Sequence, residues 1–259
     1  MSGAATLRVE GLGMRFGGLK AVDQVDLEVP AGKITAIIGP NGAGKTTFFN
    51  VVAGFYAPTT GRVLLDDQDV TGLPSHKVAR LGIARTFQTT QLFPEASVLD
   101  NVIVGRRLHT RSNVFDAVLR SPRHRREEEL SREKALEALS FTGAGDLAEV
   151  LVANISQEAR KRVAIALALA TEPRVLLLDE PAAGINPHET DGLTSLIRSV
   201  SVELGVTVCL VEHKMRMIMD LSDHVAVLNY GKKIAEGPPE VIRNDPTVID
   251  AYLGAEHDA

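Results

Sequence analysis

One stretch constrains this chain more than any other: Gly39-Pro-Asn-Gly-Ala-Gly-Lys-Thr-Thr47. It follows the apolar run Ile34-Thr-Ala-Ile-Ile38 and precedes Phe48-Phe49-Asn50-Val51-Val52-Ala53, which has the pattern of an amphipathic helix. The order is strand, glycine-rich turn, helix, with the phosphate-loop spacing of glycine, four residues, then Gly-Lys-Thr. Glycines let the backbone N–H groups of Asn41 to Thr46 converge on an anion where a Cβ would obstruct them. The positive end of the helix dipole adds to the same point. Gly39, Pro40, Asn41, Gly42, Ala43, Gly44, Lys45, Thr46 and Thr47 are therefore the expected nucleotide-binding residues. Lys45 is expected to bridge the β- and γ-phosphates, and the Thr46 hydroxyl to hold Mg²⁺.

Composition sets the class. With 259 residues, 44% apolar and 24% charged, the chain is an ordinary globular protein able to bury a core. A net charge of −5 gives no electrostatic argument for nucleic acid as a partner. No apolar run approaches the roughly 18 residues a membrane span needs, and no signal-peptide apolar segment opens the sequence. The single cysteine, Cys209, lies in the apolar run Val206-Thr-Val-Cys-Leu-Val211, as a buried strand residue of a reducing compartment would. A cytoplasmic protein is expected.

Along the chain, Leu7-Arg-Val-Glu10 and Val25-Asp-Leu-Glu-Val29 alternate apolar and polar residues, the pattern of half-exposed antiparallel strands. Arg62-Val-Leu-Leu65 follows the turn Pro58-Thr-Thr-Gly61, and Leu81 to Phe87 is a further apolar run ending at Gln88. From about residue 95 the texture turns helical, with Ser97 as an N-cap and a charged amphipathic segment over Glu127 to Leu139. Ala159 to Ala170 predicts a buried helix. Val175 to Leu178 and Val206 to Val211 predict central parallel strands, and Val225 to Asn229 a hairpin with Lys232 to Ala235. Strands alternating with helices around a phosphate loop give a parallel α/β core, with the helical stretch inserted into it.

Chemistry collects at the ends of those strands. Asp179 and Glu180 terminate a buried run, where Mg²⁺ needs a second protein contact and an attacking water needs a base. Asp179 suits the metal and Glu180 the general base. His213 ends the next strand, in position to contact the γ-phosphate. Gln88 is a candidate for Mg²⁺ or the attacking water, although on spacing alone it reads as an ordinary loop residue. Phe16 likewise reads as a packed strand-end aromatic.

The succession of phosphate loop, Gln88, helical insert, Leu178-Asp179-Glu180-Pro181 and Glu212-His213 resembles the ATP-binding subunit of an ABC transporter over residues 7 to 253. The resemblance implies an α/β P-loop NTPase with a RecA-like core, an antiparallel β subdomain and an inserted helical subdomain. The implied boundaries are 1–88 for the β subdomain and first part of the core, 89–158 for the helical subdomain, and 159–259 for the rest of the core and the tail. Phe16 falls where the family stacks an aromatic on adenine. ATP and Mg²⁺ are the implied cofactors. Met14 to Val22, Thr46 to Asn50, Ala84-Arg-Thr-Phe-Gln88, Pro181-Ala-Ala-Gly-Ile-Asn-Pro187, the basic insert Arg106 to Arg126 and the ending Ala251-Tyr-Leu-Gly254 resemble the longer ATPase of branched-chain amino-acid importers. The implied partners are two transmembrane permease subunits, a second ATPase subunit (a shorter paralogue or a second copy) and, indirectly, an extracytoplasmic binding protein. The implied location is peripheral, on the cytoplasmic side of the inner membrane.

The sequence departs from that family at its signature, Leu-Ser-Gly-Gly-Gln. Here Ile155-Ser-Gln-Glu-Ala159 keeps Ser156 but puts Gln157 and Glu158 in place of both glycines. In such dimers the signature of one subunit faces the γ-phosphate on the other, so bulk and negative charge there imply one weak site of two. Asn186 stands where many relatives carry Asp. Two other readings compete with import: a lipid or lipopolysaccharide exporter ATPase, and a non-transport ABC ATPase. The second lacks support, because residues 89 to 158 hold no sustained heptads. The insert Arg106 to Arg126 reads equally as a solvated basic face or as a surface near anionic headgroups or membrane subunits.

Overall fold

The computed structural model describes residues 6–86, 92–110 and 121–257. Its elements, in chain order, begin with β1 (Leu7–Phe16), β2 (Leu19–Val29), β3 (Ile34–Ile38), α1 (Lys45–Val52), β4 (Thr60–Leu65), β5 (Gln68–Asp69), α2 (Ser75–Arg80) and β6 (Ile83–Thr86). They continue with α3 (Val98–Gly105), α4 (Pro122–Phe141), α5 (Gln157–Ala170), β7 (Val175–Asp179), α6 (Pro187–Val202), β8 (Thr207–Val211) and α7 (Met215–Leu221). The last are β9 (His224–Asn229), β10 (Lys232–Gly237), α8 (Pro239–Arg243) and α9 (Pro246–His257). The chain divides into two compact units, one made of residues 1–88 with 174–259 and the other of 89–173.

The first unit holds two sheets. β2-β1-β4-β5 is antiparallel, and β1 and β2 bury alternate residues as their apolar-polar alternation predicts. The second sheet has the order β10-β9-β3-β8-β7-β6, parallel throughout except for β10. Every residue of β3, β7 and β8 is buried, which is why these strands are predominantly apolar with no alternation, Thr35, Asp179 and Thr207 being their polar members. One core joins the sheets and α1: Phe48 and Phe49 share a buried cluster with Leu7, Val9 and Leu65 of the first sheet and Ile37, Leu177 and Cys209 of the second. β6 pairs with β7 in parallel register, Ile83 opposite Val175 and Thr86 opposite Leu178. The chain can therefore leave the sheet after β6 and rejoin it at Arg174 without disturbing a strand; the Arg174 and Val175 N–H groups both reach the Gly82 carbonyl.

The second unit is built on α3, α4 and α5. Ser97 caps α3, its Oγ accepting from the Asp100 N–H at 3.0 Å. Gly105 lets α3 approach α5 closely, since a Cβ there would lie 2.5 Å from the Leu167 carbonyl oxygen. α4 buries Ser131, Ala135, Ala138 and Leu139, the one-sided spacing expected of an amphipathic helix. α5 packs on both α3 and α4 and is part of this unit, whereas the sequence reading ended the helical part at 158 and gave this helix to the core. The reason is packing: its apolar face is satisfied by α3 and α4. Arg106, read from sequence as the start of a basic surface, is buried; its Nη1 donates to the Ala170 carbonyl and pairs with Glu172, both at 2.9 Å. Residues 111–120 of that basic stretch lie outside the described residues. Among the described residues no helix is long and apolar enough to cross a membrane.

Candidate nucleotide-binding site

The turn after β3 needs glycine for two different reasons. Gly39 (φ 149°) and Gly44 (φ 98°) adopt left-handed backbone and have no room for a side chain. A Cβ on Gly39 would lie 2.0 Å from the Leu228 carbonyl oxygen, and one on Gly44 would lie 2.2 Å from that of Ala21. Gly42 (φ 79°) has nothing within 4 Å, so only its backbone angle favours glycine. The β9–β10 turn straps the loop in place: the Gly231 N–H donates to the Ala43 carbonyl at 3.0 Å, and the Gly231 carbonyl accepts from the Asp23 N–H at 2.8 Å. α1 starts at Lys45 with Gly44 as its cap and no side-chain acceptor. The N–H groups of its first turn are left for an anion.

Lys45 is buried beneath the loop. Its Nζ donates to the Gly39 carbonyl at 2.7 Å and the Pro40 carbonyl at 2.9 Å, and an ammonium carries a third donor besides these. Burial holds this ammonium below the ordinary lysine range, while the charges of Glu180 and Asp179 pull it back up.

The acids stand at the ends of adjacent strands. Asp179, 2% exposed, closes β7; its Oδ2 accepts from Arg85 Nη2 at 2.8 Å, and its Oδ1 is buried with no hydrogen-bond partner. Glu180 follows in left-handed backbone (φ 47°), held by its N–H to the Val211 carbonyl at 2.9 Å. His213 Nε2 lies 3.2 Å from Glu180 Oε1. Glu212, the residue before His213, is buried. Its Oε1 accepts from the Ala182 N–H at 2.7 Å, and its Oε2 from the N–H groups of His213 at 2.8 Å and Lys214 at 3.2 Å. One carboxylate thus fixes both the loop after Glu180 and the segment carrying His213.

Phe16, residues 41–47, Glu180 and His213 line one pocket of about 430 Å³, within the range of small-molecule sites. Gly39 and Pro40 lie behind it as the acceptors of Lys45. Phe16 is half-exposed and meets Tyr56 edge-on, ring centroids 5.4 Å apart. Gln88 lies outside the described residues. Ser156, Gln157 and Glu158 belong to the helical unit. There Ser156 caps α5 by accepting from the Ala159 N–H at 3.1 Å, Gln157 is exposed, and Glu158 Oε1 pairs with Arg162 Nε at 2.6 Å. Asn186 caps α6 in a reciprocal capping box with Glu189. Asn serves that role as well as Asp, which explains why the side chain need not be acidic.

The donor set fits Mg²⁺. A buried, unpaired carboxylate oxygen demands a partner, and Mg²⁺ takes one or two protein oxygens with the rest from phosphate and water. Thr46 and Asp179 supply that number. Among the described residues there is no cluster of three or more His, Cys, Asp or Glu suited to an all-protein metal cage.

Residues 22–183 match the family described as ABC transporter. The chain belongs to that family. A second match, described as branched-chain amino acid ATP-binding cassette transporter, covers residues 232–258 of this ABC ATPase. The chain is 45% identical to the high-affinity branched-chain amino acid transport ATP-binding protein BraF of Pseudomonas aeruginosa over 248 residues, 96% of this chain and 97% of that one. It is 44% identical to LivG of Escherichia coli K12, a protein of the same description, with the same coverage. Among solved structures it is similar to a nucleotide-free ATP-binding cassette from an ABC transporter, with 33% identity, a TM-score of 0.84, and 96% and 98% of the two chains covered. An ADP-bound cassette of an ABC transporter gives the same identity and TM-score, with 96% and 99% covered.

Four features of this cassette escaped sequence reasoning. Leu19 to Ala21, at the start of β2, and Tyr230-Gly231, in the β9–β10 turn, line the pocket although both are distant from the loop in sequence. Glu212 was read only as part of a strand end, and its three backbone partners depend on the fold. Arg85 carried a signal, a charge inside the apolar run 81–87, that was absorbed into the family resemblance.

Proposed function

We propose that this chain is the ATP-hydrolysing subunit of an importer for branched-chain or other small amino acids. The observation that carries the reading is the convergence of Lys45, Glu180 and His213 on one pocket lined by the loop. The relatives named above, and the match over residues 232–258, support the cargo. The N–H groups of the loop and the first turn of α1, with Lys45, bind and orient the phosphates of ATP. Thr46 and Asp179 Oδ1 would hold Mg²⁺, which would neutralise charge developing on the phosphate oxygens. Glu180 accepts the proton of the attacking water, and His213 either fixes that carboxylate through Nε2 or, turned to the nucleotide, contacts the γ-phosphate. Phe16 supplies the aromatic face for the base. Gln88 completes the water or metal position by family resemblance. Ser156, Gln157 and Glu158 face the partner's nucleotide across the dimer.

The partners are two permease subunits and a second ATPase, with a binding protein acting on the far side. The chain works peripherally, on the cytoplasmic face of the membrane. The test is uptake of radiolabelled leucine in a strain lacking this gene, complemented by wild type or by Glu180→Gln. Rescue by wild type alone supports the reading. Leucine, isoleucine and valine uptake indifferent to the deletion would overturn the cargo.

A further inference from the structure

Asp179 presents its two oxygens to different surroundings, and Arg85 is the cause. β6 and β7 run parallel with Arg85 opposite Leu177. Residues two apart on a strand share a face, so Arg85 and Asp179 emerge on the same side of the sheet. The Arg85 guanidinium then bridges two elements of the site. Its Nη2 donates to Asp179 Oδ2 at 2.8 Å and its Nη1 to Asn50 Oδ1, on α1, at 2.6 Å. It also lies over the rings of Phe49 and Phe55, 5.8 and 5.7 Å from their centroids. Arg85 and Asp179 side chains are 5% and 2% exposed, so this is a buried ion pair whose geometry water does not average. A planar guanidinium lying over two aromatic rings, with two of its nitrogens committed, has little freedom to turn.

A carboxylate held through one oxygen in a fixed plane cannot rotate its other oxygen away. Asp179 Oδ1 is that other oxygen, buried and without a hydrogen-bond partner. We infer that Arg85 is a positioning residue for Mg²⁺: by holding Oδ2, it aims Oδ1 at the metal coordinated with the nucleotide. The inference rests on the nucleotide-site reading above. It gives Arg85 a role in metal affinity, exerted through Asp179. Partners that orient a metal ligand are typically worth about 10- to 100-fold in affinity for the metal.

The test is the dissociation constant of ATP for the full chain, measured in Mg²⁺ and in EDTA, for wild type, Arg85→Lys, Arg85→Met and Asn50→Ala. Arg85→Lys keeps the charge and loses the planar fork; Asn50→Ala leaves Arg85 in place and frees one side of it. The expected result is ATP affinity in EDTA unchanged in all three variants, with the gain from Mg²⁺ reduced about tenfold in the Arg85 variants and less in Asn50→Ala. Mn²⁺ titration of the ATP-loaded chain, followed by electron paramagnetic resonance, should show the same order. An equal loss with and without metal, or an undiminished Mg²⁺ gain, would overturn the role. If Arg85→Met fails to fold, Arg85→Lys and Asn50→Ala decide alone. Wild type that binds no ATP under either condition would overturn the nucleotide site itself, a different outcome from a failure confined to the variants.

Discussion

His213 Nε2 stands 3.2 Å from Glu180 Oε1, joining the ends of two neighbouring parallel strands across the mouth of the phosphate pocket. Glu180 reaches this position in left-handed backbone, a strained conformation for a residue with a side chain, and such strain is commonly kept where function needs the orientation. Glu180→Gln in the assembled transporter should therefore bind ATP normally and lose on the order of 100-fold or more in turnover. Steady-state ATPase rates beside equilibrium ATP binding check this; turnover within a few-fold of wild type would remove Glu180 from the chemistry.

Glu212 predicts a larger structural effect than its neighbours. Glu212→Ala removes the acceptor of three N–H groups, the buried one of Ala182 and the part-buried ones of His213 and Lys214. The expected loss is about 3 kcal/mol of unfolding free energy, with slower ATP turnover because His213 is no longer anchored. Urea unfolding of the two chains measures the first effect. A change below about 1 kcal/mol would mean that water replaces the carboxylate.

The loop glycines should separate cleanly. Gly44→Ala forces a Cβ into the Ala21 carbonyl in addition to backbone strain, and should destabilise the chain by more than about 2 kcal/mol. Gly42→Ala meets open space and carries only the cost of left-handed backbone, about 1 kcal/mol. Chemical denaturation without nucleotide ranks them, and equal effects would contradict the close approach at Gly44.

Cys209 gives the pH prediction. Complete burial pushes its thiol far above the ordinary cysteine range. The folded chain therefore keeps the proton after the unfolded chain has released it. Its contribution to stability is intact below the unfolded-state value and falls as pH rises above it, by about 1.4 kcal/mol per pH unit. Between about pH 8.5 and 10 wild type should lose more stability than Cys209→Ala, as urea unfolding at each pH will show. Aromatic disulfide reagents should react with native protein only at the rate of unfolding.

The signature departure predicts asymmetry between the two ATP sites. Glu158 is already paired with Arg162, whose Nη1 also donates to the Thr142 carbonyl at 3.1 Å. Glu158→Gly should raise ATP turnover of the reconstituted complex by removing bulk and charge, at about 1 kcal/mol of helix stability. Glu158→Gln, which removes charge alone, should give part of the gain. No gain in either variant would mean that this signature does not limit its site.

Patterns that are local in sequence were legible without coordinates. Strand, glycine turn and helix around Lys45 follow from hydrophobic period and spacing, as do the buried runs ending at Asp179 and Val211, because each is settled within a few residues. α2, α6, α7, α8 and α9 were not read; most are short or weakly patterned, but α6 is 16 residues long and opens with its own capping box. The helix at 157–170 was recognised as a helix, but its apolar face does not say which neighbours will cover it. That was decided by α3 and α4.

The sequence by itself pointed to a nucleotide-binding loop and to the residues expected to hold the phosphates, since backbone freedom and residue type dictate that loop. Only the tertiary structure decided how the acids are shared out. Arg85 and Asp179 are 94 positions apart, and Ala182 and Glu212 are 30 apart. Their pairing depends on which strands lie side by side, and strand order is fixed by packing of the whole core rather than by any local preference.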